Sequence, residues 1–222
     1  MVKIALTDAG KKFRSQWIFR HLNLEILPGE KVAITGFNGS GKSTLLQIIS
    51  GFQTLSEGRI DHFENDHQPD PSRWYHHLSY AAPYLDLPEE YTFEEMIAFQ
   101  EKFKPFTAGV KTSDLKVISG LKGIEGKAFK NFSSGMKQRV KLVLAVMSDT
   151  PLLLLDEPLS NLDQKGVTWY RDLIETQAQN KTILVCSNAI QDEIFSAGAP
   201  STSTITNPNR DCKINAYNYC IR

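Results

Sequence analysis

One glycine-rich segment, Gly36-Phe37-Asn38-Gly39-Ser40-Gly41-Lys42-Ser43-Thr44, restricts the folds open to this chain more strongly than any other stretch. The apolar run Lys31–Thr35 precedes it and the pattern Leu45–Ile49 follows it, which predicts a buried strand, a loop and a helix in direct succession. In that order, the loop backbone and the N-terminus of the helix can surround a phosphate group. The segment therefore predicts a mononucleotide site, and a glycine-rich turn that only caps a helix is the alternative.

The residues of this segment have distinct expected tasks. Its glycines would let the backbone adopt conformations closed to residues with a β-carbon. Lys42 would contact the β- and γ-phosphates, and the Ser43 hydroxyl would ligate a Mg²⁺ ion that bridges them. The expected cofactors are thus ATP and Mg²⁺, with nucleotide contacts from Gly36, Asn38, Gly39, Ser40, Gly41, Lys42, Ser43 and Thr44.

Charge and hydropathy limit the classes of function. Lysine and arginine number 25, as do aspartate and glutamate, so the net charge is zero and no nucleic-acid partner is expected. The N-terminus reaches Asp8 too soon for a secretory signal. The longest apolar runs, Leu142–Met147 and Leu152–Leu155, fall far below the ~20 residues of a membrane-spanning helix. Any membrane function would therefore require another chain.

The cysteines indicate a reducing compartment. Cys186 lies in an apolar strand pattern, while Cys212 and Cys220 lie in a polar tail without metal-ligand spacing. Three free thiols in the cytoplasm is the expectation.

Strand and helix patterns alternate along most of the chain, which predicts an α/β fold with a mainly parallel sheet. Strands are predicted at Val2–Leu6, His21–Leu27, Lys31–Thr35, Arg59–Phe63, His77–Ala82, Leu152–Leu155 and Thr182–Cys186. Helices are predicted at 45–50, Thr92–Phe103, Ser113–Leu121, 133–147, Val167–Ala178 and Ile190–Phe195. The expected organisation is a nucleotide-binding core over 1–82 and 131–196, a helical insertion over 83–130, and a polar tail over 197–222 that is disordered or specialised.

A second part of the predicted site follows the run Leu152–Leu155, which ends abruptly in Asp156 and Glu157. A buried strand of this kind would place both carboxylates at the carboxyl edge of the sheet, where ligands bind. Asp156 is expected to hold Mg²⁺, and Glu157 is expected to polarise the water that attacks the γ-phosphate. A core strand followed by a solvated acidic turn is the alternative.

The segment Phe132-Ser133-Ser134-Gly135-Met136-Lys137-Gln138-Arg139 adds a third element, and Ser160-Asn161-Leu162-Asp163 a fourth. Taken with the phosphate loop and Asp156-Glu157-Pro158, these motifs resemble the ATP-binding cassette (ABC) ATPase family of the P-loop NTPase superfamily. The resemblance spans about residues 1–196 and implies a P-loop core with an N-terminal antiparallel β-subdomain. It also implies a head-to-tail dimer around two ATP molecules, in which Ser133, Gly135 and Gln138 act on the partner's nucleotide. Without that context, the Ser-Ser-Gly triplet would be only a helix cap.

The resemblance assigns further residues. Phe13 lies where the family has an aromatic residue that stacks on adenine, and Trp17 is a competing candidate; either could simply pack in the β-rich part. Asp163 lies in the loop that links the two sites of the dimer, and as isolated sequence it would cap the next helix.

The chain departs from the family pattern at two positions. Pro83 stands where a glutamine usually contacts Mg²⁺ and water, and proline has neither a side-chain amide nor a backbone N–H. Asn188 stands where a histidine usually contacts the γ-phosphate; its amide can donate a hydrogen bond but cannot shuttle a proton at neutral pH. Asn188 stays a catalytic candidate beside Glu157 and Lys42, and slow ATP hydrolysis is expected.

By resemblance, the chain supplies energy to a separate transmembrane permease subunit at the inner face of the cell membrane. The docking surface would lie in the helical insertion, with Tyr84, Leu85, Leu87 and Phe93 as contacts that could equally be local core. The short form without a regulatory domain favours an exporter. A soluble ABC-type ATPase, or a slow nucleotide-dependent regulatory module, is the alternative.

Overall fold

The computed structural model describes residues 1–188, 201–206 and 213–218. The strands are β1 (Val2–Phe13), β2 (Gln16–Ile26), β3 (Lys31–Thr35), β4 (Glu57–Glu64), β5 (Leu78–Ala81), β6 (Leu152–Asp156), β7 (Thr182–Ser187), β8 (Ser201–Thr206) and β9 (Lys213–Asn218). The α-helices are α1 (Lys42–Ile49), α2 (Phe93–Glu101), α3 (Thr112–Ser119), α4 (Ser134–Met147) and α5 (Gln164–Gln177). Short 3-10 helices cover Pro71–His77 and Phe129–Asn131.

Two sheets carry the fold. Strands β2, β1 and β4 form an antiparallel sheet in that order, and β3, β7, β6 and β5 form a parallel one. The parallel strands are apolar almost throughout, as expected for strands covered on both faces. The predicted α/β fold, with a parallel core sheet and an N-terminal antiparallel β-subdomain, is confirmed.

The parallel sheet separates two hydrophobic clusters, because successive side chains of a strand point to opposite faces. In β6, Leu153 and Leu155 join the cluster that contains the apolar side of α4, whereas Leu152 and Leu154 join the cluster that contains α1. The continuous leucine run of β6 therefore contributes core side chains on both faces of the parallel sheet. The strand that carries Asp156 is fixed from two sides.

The first hairpin differs most from its predicted bounds. Strand β2 begins at Gln16 rather than His21, because β1 continues to Phe13 and pairs with it through a tight turn in which Arg14 has φ 54°. The pairs Lys12 with Trp17 and Phe13 with Gln16 close this hairpin. Residues 7–13 and 16–20 thus become strand through cross-strand pairing, which local patterning does not reveal.

The range predicted as a helical insertion, 83–130, contains α2 and α3. Thr92 caps α2 through a reciprocal pair of hydrogen bonds with Glu95, so the helix begins one residue after the predicted start. Likewise, α5 begins at Gln164 rather than Val167 because the Asp163 carboxylate accepts a hydrogen bond from the Gly166 N–H at 2.7 Å.

The C-terminal part is described only in two segments. Residues 201–206 and 213–218 pair as antiparallel strands, where the sequence had indicated a disordered or specialised tail. The predicted helix Ile190–Phe195 lies outside the described residues.

Candidate nucleotide-binding site

The glycine-rich segment forms a loop between β3 and α1. Gly39 and Gly41 have φ angles of 78° and 102°, as predicted for conformations that side chains disfavour. A β-carbon on Gly41 would lie 2.4 Å from Cγ2 of Ile18, so this position also requires the absence of a side chain. The same prediction is wrong for Gly36, because Gly36 is not among the described glycines that have a positive φ.

Lys42 lies across the loop that precedes it. Its ammonium donates hydrogen bonds to the carbonyl oxygens of Gly36 and Phe37 at 2.8 and 3.2 Å and to Oδ1 of Asn188 at 2.6 Å. The residue is only 6 % exposed, although its charge has no carboxylate partner within the described contacts. These three acceptors are neutral oxygens. A phosphate oxygen could take their place and would give the ammonium a negatively charged acceptor.

Asp156 ends β6 in a strongly buried position. The residue is 1 % exposed, and neither carboxylate oxygen meets the geometry of a hydrogen bond within the described part of the chain. Burial raises the pKa of Asp156, while the hydroxyls of Ser43 and Tyr84 and the charge of Lys42 act in the opposite direction. A buried carboxylate in this condition is stabilised by a cation.

The donor set fits magnesium. Mg²⁺ prefers oxygen ligands and is usually held by one or two carboxylates together with water and substrate phosphates. Asp156 offers such a carboxylate, and Ser43 offers a hydroxyl near it at the start of α1. The residues predicted to bind the metal are thus close to each other.

Glu157 follows Asp156 in a left-handed backbone conformation with φ 44°. Its N–H donates to the Cys186 carbonyl at 2.7 Å, and its carboxylate Oε2 accepts a long hydrogen bond of 3.4 Å from the Asn188 N–H. Burial raises the pKa of Glu157, opposed by the Asn188 N–H and by Lys42. A carboxylate with a raised pKa is a better proton acceptor than an exposed one.

Lys42, Ser43 and Glu157 line a cavity of about 500 Å³, whereas the buried Asp156 is not among its lining residues. The lining of this cavity combines most of the predicted loop with residues that follow β6 and β7 at the carboxyl edge of the parallel sheet: Ile18, Asn38, Gly39, Gly41, Lys42, Ser43, Thr44, Glu157, Ser160 and Asn188. Gly36 and Ser40 do not line it; Gly36 contributes its carbonyl to Lys42, and the Ser40 N–H closes a turn onto the Phe37 carbonyl at 3.1 Å. The side-chain amides of Asn188 and Asn38 are hydrogen-bonded to each other across the cavity.

Ser133 and Gly135 lie elsewhere, at the N-terminus of α4. The Ser133 hydroxyl accepts a hydrogen bond from the Met136 N–H at 3.2 Å, so the residue is a helix cap, and its side chain is exposed. A β-carbon on Gly135 would lie 2.8 Å from the Asn161 carbonyl oxygen, which explains the glycine by packing within the chain.

Gln138 corrects a prediction. Instead of facing a partner's nucleotide, its side chain is 2 % exposed and donates a hydrogen bond to the Pro158 carbonyl at 2.9 Å. Gln138 points inward because α4 turns it toward the turn that follows β6. It therefore ties α4 to the segment that carries Glu157.

The adenine candidates and Asp163 do not line the cavity. Phe13 is 44 % exposed, with the Lys11 ammonium 4.9 Å from its ring centre, and Trp17 lies between Lys12 and Arg20. Ile18 on the same hairpin is the apolar residue that reaches the cavity wall. Asp163 is exposed and caps α5, which is the role that its sequence position alone indicated.

Two features of the segment after β5 were not anticipated. The Lys141 ammonium, on α4, donates to the carbonyl oxygens of Ala82 and Pro83 at 3.2 Å each. Tyr84 then directs its hydroxyl toward Tyr80 and Gln47. A lysine within the apolar run Val140–Met147 is the one sequence signal for such an internal contact, because a buried ammonium needs acceptors.

The predicted docking residues divide into two pairs. Phe93 and Leu87 are 0 % and 9 % exposed and belong to the protein's own core, which is the alternative weighed for them. Tyr84 and Leu85 are 49 % and 36 % exposed. Leu85 lines a groove of about 260 Å³ whose other apolar residues include Met96, Phe99 and Phe103.

Cys186 is buried, and its thiol contacts the Lys42 carbonyl at 3.5 Å. Cys212 and Cys220, also predicted as free thiols, lie outside the described residues. Within the described residues, no helix has both the length and the hydropathy to cross a bilayer.

Comparison with known proteins gives consistent results. The family model described as ABC transporter matches residues 19–160. The chain is 32% identical to the cytochrome c biogenesis ATP-binding export protein CcmA of Yersinia pseudotuberculosis, over 68% of this chain and 69% of that protein. It is 31% identical to an uncharacterized ABC transporter ATP-binding protein of Haemophilus influenzae, over 86% and 78% of the two chains. It is 32% identical to the zinc import ATP-binding protein ZnuC of Paracoccus denitrificans, over 71% and 58%.

Solved structures share the fold. An ATP-binding subunit of an ABC transporter superposes with a TM-score of 0.69 at 25% identity, covering 83% of this chain and 78% of that one. A dimeric ATP-binding cassette described as a post-hydrolysis state with ADP and Pi superposes with a TM-score of 0.71 at 22% identity, covering 84% and 88%. With the family model spanning well over half of its length, this chain belongs to the ABC transporter family as an ATP-binding subunit.

Proposed function

We propose that two copies of this chain bind ATP between them, hydrolyse it, and thereby drive a separate transmembrane permease. The observation that carries the proposal is that Lys42 and Glu157 line one cavity of about 500 Å³ at the carboxyl edge of the parallel sheet, with the buried Asp156 at the end of the strand directly before Glu157. A cation at a glycine-rich loop, a buried unsatisfied carboxylate and a second carboxylate with a raised pKa are the groups that nucleotide hydrolysis requires.

The residues act by position and charge. On nucleotide binding, the Lys42 ammonium would exchange the Gly36, Phe37 and Asn188 oxygens for phosphate oxygens, and the N-terminus of α1 would attract the same anion. Asp156 and Ser43 would hold Mg²⁺, which when bound offsets the negative charge of the phosphates. Glu157 accepts the proton of the attacking water, helped by the burial that raises its pKa.

The dimer supplies what one chain lacks. Ser133 and Gly135 lie on an exposed helix N-terminus that is not part of the cavity lining in the same chain. A helix N-terminus attracts anions. In a head-to-tail pair, the α4 terminus of one chain would close over the γ-phosphate bound by the other.

Hydrolysis should be slow. Pro83 provides no side-chain amide to orient water, and Asn188 holds Lys42 through its amide oxygen without being able to carry a proton. Among the described residues that line the cavity, Glu157 is the one that could accept a proton at neutral pH. Turnover therefore depends on Glu157.

The permease would dock at the groove beside Leu85. Phe99 and Phe103 are 41 % and 59 % exposed there, and apolar exposure of this kind is typical of a protein interface. The subunit would then sit at the cytoplasmic face of the membrane through its partner. An exporter is favoured, as in the cytochrome c biogenesis export protein, although the zinc import protein matches at similar identity.

A Glu157→Gln variant tests the proposal. It removes the proton acceptor and keeps the shape, so phosphate release should fall to background while Mg-ATP binding persists. In saturating Mg-ATP, the variant should form dimers that light scattering detects, because the nucleotide stays intact between the chains. Glu101→Gln, at an exposed position at the end of α2, is the matched control and should behave as wild type.

Two outcomes would contradict parts of the proposal. If wild type releases phosphate no faster than Glu157→Gln, measured with the permease present, hydrolysis is contradicted. A nucleotide-dependent regulatory role would then be the better description. If Glu157→Gln stays monomeric in saturating Mg-ATP, the proposed ATP-dependent dimer is contradicted.

A further inference from the structure

Gln138 places a polar side chain on the buried side of α4. The residue is 2 % exposed, and its side-chain amide nitrogen donates a hydrogen bond to the Pro158 carbonyl at 2.9 Å. Because a carbonyl oxygen can only accept, the amide has to turn its NH2 group toward Pro158. The amide oxygen Oε1 is then left without a hydrogen-bond partner among the described residues.

This arrangement gives the fold little net stability. A buried acceptor without a partner costs at least as much free energy as one hydrogen bond contributes, so the two ends of the Gln138 amide oppose each other. An apolar side chain of the same size would leave the Pro158 carbonyl unpaired instead of Oε1, which is one buried oxygen in either case. The hydrogen bond therefore matters for what it holds in place.

The hydrogen bond holds the residue directly after Glu157. Glu157 has φ 44°, in the left-handed region that residues with a β-carbon rarely adopt. Such a conformation persists only where the surrounding structure fixes the backbone. On the preceding side, the Glu157 N–H donates to the Cys186 carbonyl at 2.7 Å, at the end of the parallel sheet. On the following side, the Gln138 amide binds the Pro158 carbonyl.

The turn after β6 also has a hydrogen bond of its own. The Ser160 N–H donates to the Glu157 carbonyl at 3.0 Å, which keeps the shape of the turn but does not fix it against the rest of the core. Gln138 supplies a contact from a separate element, α4, which packs in the same hydrophobic cluster as Leu153 and Leu155 of β6. Because Glu157 lines the nucleotide cavity, a shift of the turn would move its carboxylate relative to the bound phosphates.

We propose that Gln138 is a positioning residue for Glu157, whose amide fixes the turn after β6 and thereby keeps the Glu157 carboxylate at the cavity wall. Gln138 is not part of the cavity lining, so it acts through Glu157 and not on the nucleotide. This inference rests on the proposed function, because it concerns the residue that accepts the proton of the attacking water. It gives a task to a side chain that the family resemblance assigned to a partner's nucleotide.

Gln138→Met tests this role by replacing the amide with an apolar side chain of similar length. Phosphate release at saturating Mg-ATP should fall about ten- to a hundredfold, because small displacements of a reacting group reduce rates by such factors. Affinity for a fluorescent, non-hydrolysable ATP analogue should change less than about twofold, since the phosphate loop is untouched. The urea midpoint of unfolding should stay close to that of wild type, since either side chain leaves one buried oxygen unpaired.

Two further variants complete the experiment. Gln138→Leu removes the same donor with a different apolar shape and should give the same split between turnover and affinity. Gln179→Met is the matched control, since the Gln179 amide also donates to a backbone carbonyl, that of Glu175 at 2.8 Å, at an exposed position away from the cavity lining. It should hydrolyse ATP as wild type does.

Dimer formation separates an effect on Glu157 from an effect on the exposed end of α4. Gln138→Met is combined with Glu157→Gln, and in saturating Mg-ATP the double variant should form dimers to the same extent as Glu157→Gln alone. A weaker dimer would overturn the inference, because Gln138 would then act through Ser133 on the partner's site.

The activity outcomes separate this inference from the proposed function. If wild type releases phosphate no faster than Glu157→Gln, the proposed function fails, and the inference fails with it. If wild type hydrolyses ATP and Gln138→Met turns over equally fast, the positioning role alone is overturned. A loss of turnover with an equal loss of affinity, or with a lower urea midpoint, would also overturn it, since that pattern indicates a general structural role.

Discussion

The Lys42 ammonium donates a hydrogen bond of 2.6 Å to Oδ1 of Asn188, which is 146 residues away in sequence. The contact forms because β3 and β7 are parallel neighbours with Thr35 opposite Ser187, so the segments that follow them emerge at the same edge. In this arrangement Asn188 completes the set of acceptors around Lys42. A nucleotide has to displace neutral oxygens from the ammonium, and it offers charged ones in return.

Lys42→Ala should weaken ATP binding by about tenfold or more. The change removes a nearly buried cation, and hydrogen bonds to charged groups contribute about 1.5–3 kcal/mol. Titration with a fluorescent ATP analogue measures the effect. Lys165→Ala, an exposed lysine on α5, serves as control and should retain wild-type affinity. Equal affinities of the two variants would mean that Lys42 does not contact the phosphates.

Gly135→Ala should destabilise the fold. The new methyl group would lie 2.8 Å from the Asn161 carbonyl oxygen, and overpacking of this kind costs about 1–3 kcal/mol, against a gain in helix propensity of about 1 kcal/mol. The free energy of unfolding in urea should therefore decrease. Ser134→Ala at the neighbouring exposed position should change it by less than about 0.5 kcal/mol. An unchanged midpoint for Gly135→Ala would show that the loop moves freely away from α4.

Lys181 should make stability depend on pH in the alkaline range. Burial lowers the pKa of Lys181 to about 8 in the folded protein, with Asp149 opposing the shift, and the ammonium donates to the Ser148 carbonyl. Below about pH 8 the amine is charged in both the folded and the unfolded state, so its burial destabilises the fold by a constant amount. Between pH 8 and the unfolded value of 10.5, the unfolded state binds more protons, and the free energy of unfolding rises with pH.

The measurement compares wild type with Lys181→Met in urea at pH 7 and pH 9.5. The wild type should gain about 2 kcal/mol relative to the variant over this interval, as the linkage relation gives for such a shift. A difference that stays constant with pH would mean that Lys181 keeps its ordinary pKa in the folded state.

Several parts of the site were accessible from sequence because they depend on local chain geometry. The loop glycines Gly39 and Gly41, the strand that ends in Asp156, and the helix cap at Asp163 are each determined within a few residues. The same local logic placed Ser133 correctly at a helix N-terminus.

Other parts were inaccessible because they depend on which elements become neighbours. Gln138 was assigned to a partner's nucleotide by motif, but its amide donates to Pro158 in the same chain. Phe93 was a candidate for an external contact, yet it is fully buried because α2 packs onto α4 and the rest of the core. No pattern within a short window distinguishes an exposed aromatic side chain from one that another element covers.

The sequence by itself determined the strand, loop and helix around Lys42, the apolar strand ending in Asp156 and Glu157, and hence an α/β nucleotide site, since each follows from periodicity and turn chemistry over a few residues. Only the tertiary structure decided that Asn188 would meet Lys42, that Lys141 would hold the backbone before Tyr84, and that Gln138 would donate to the Pro158 carbonyl. These contacts join residues tens of positions apart, and strand order and helix packing bring them together. Their geometry is a property of the whole core.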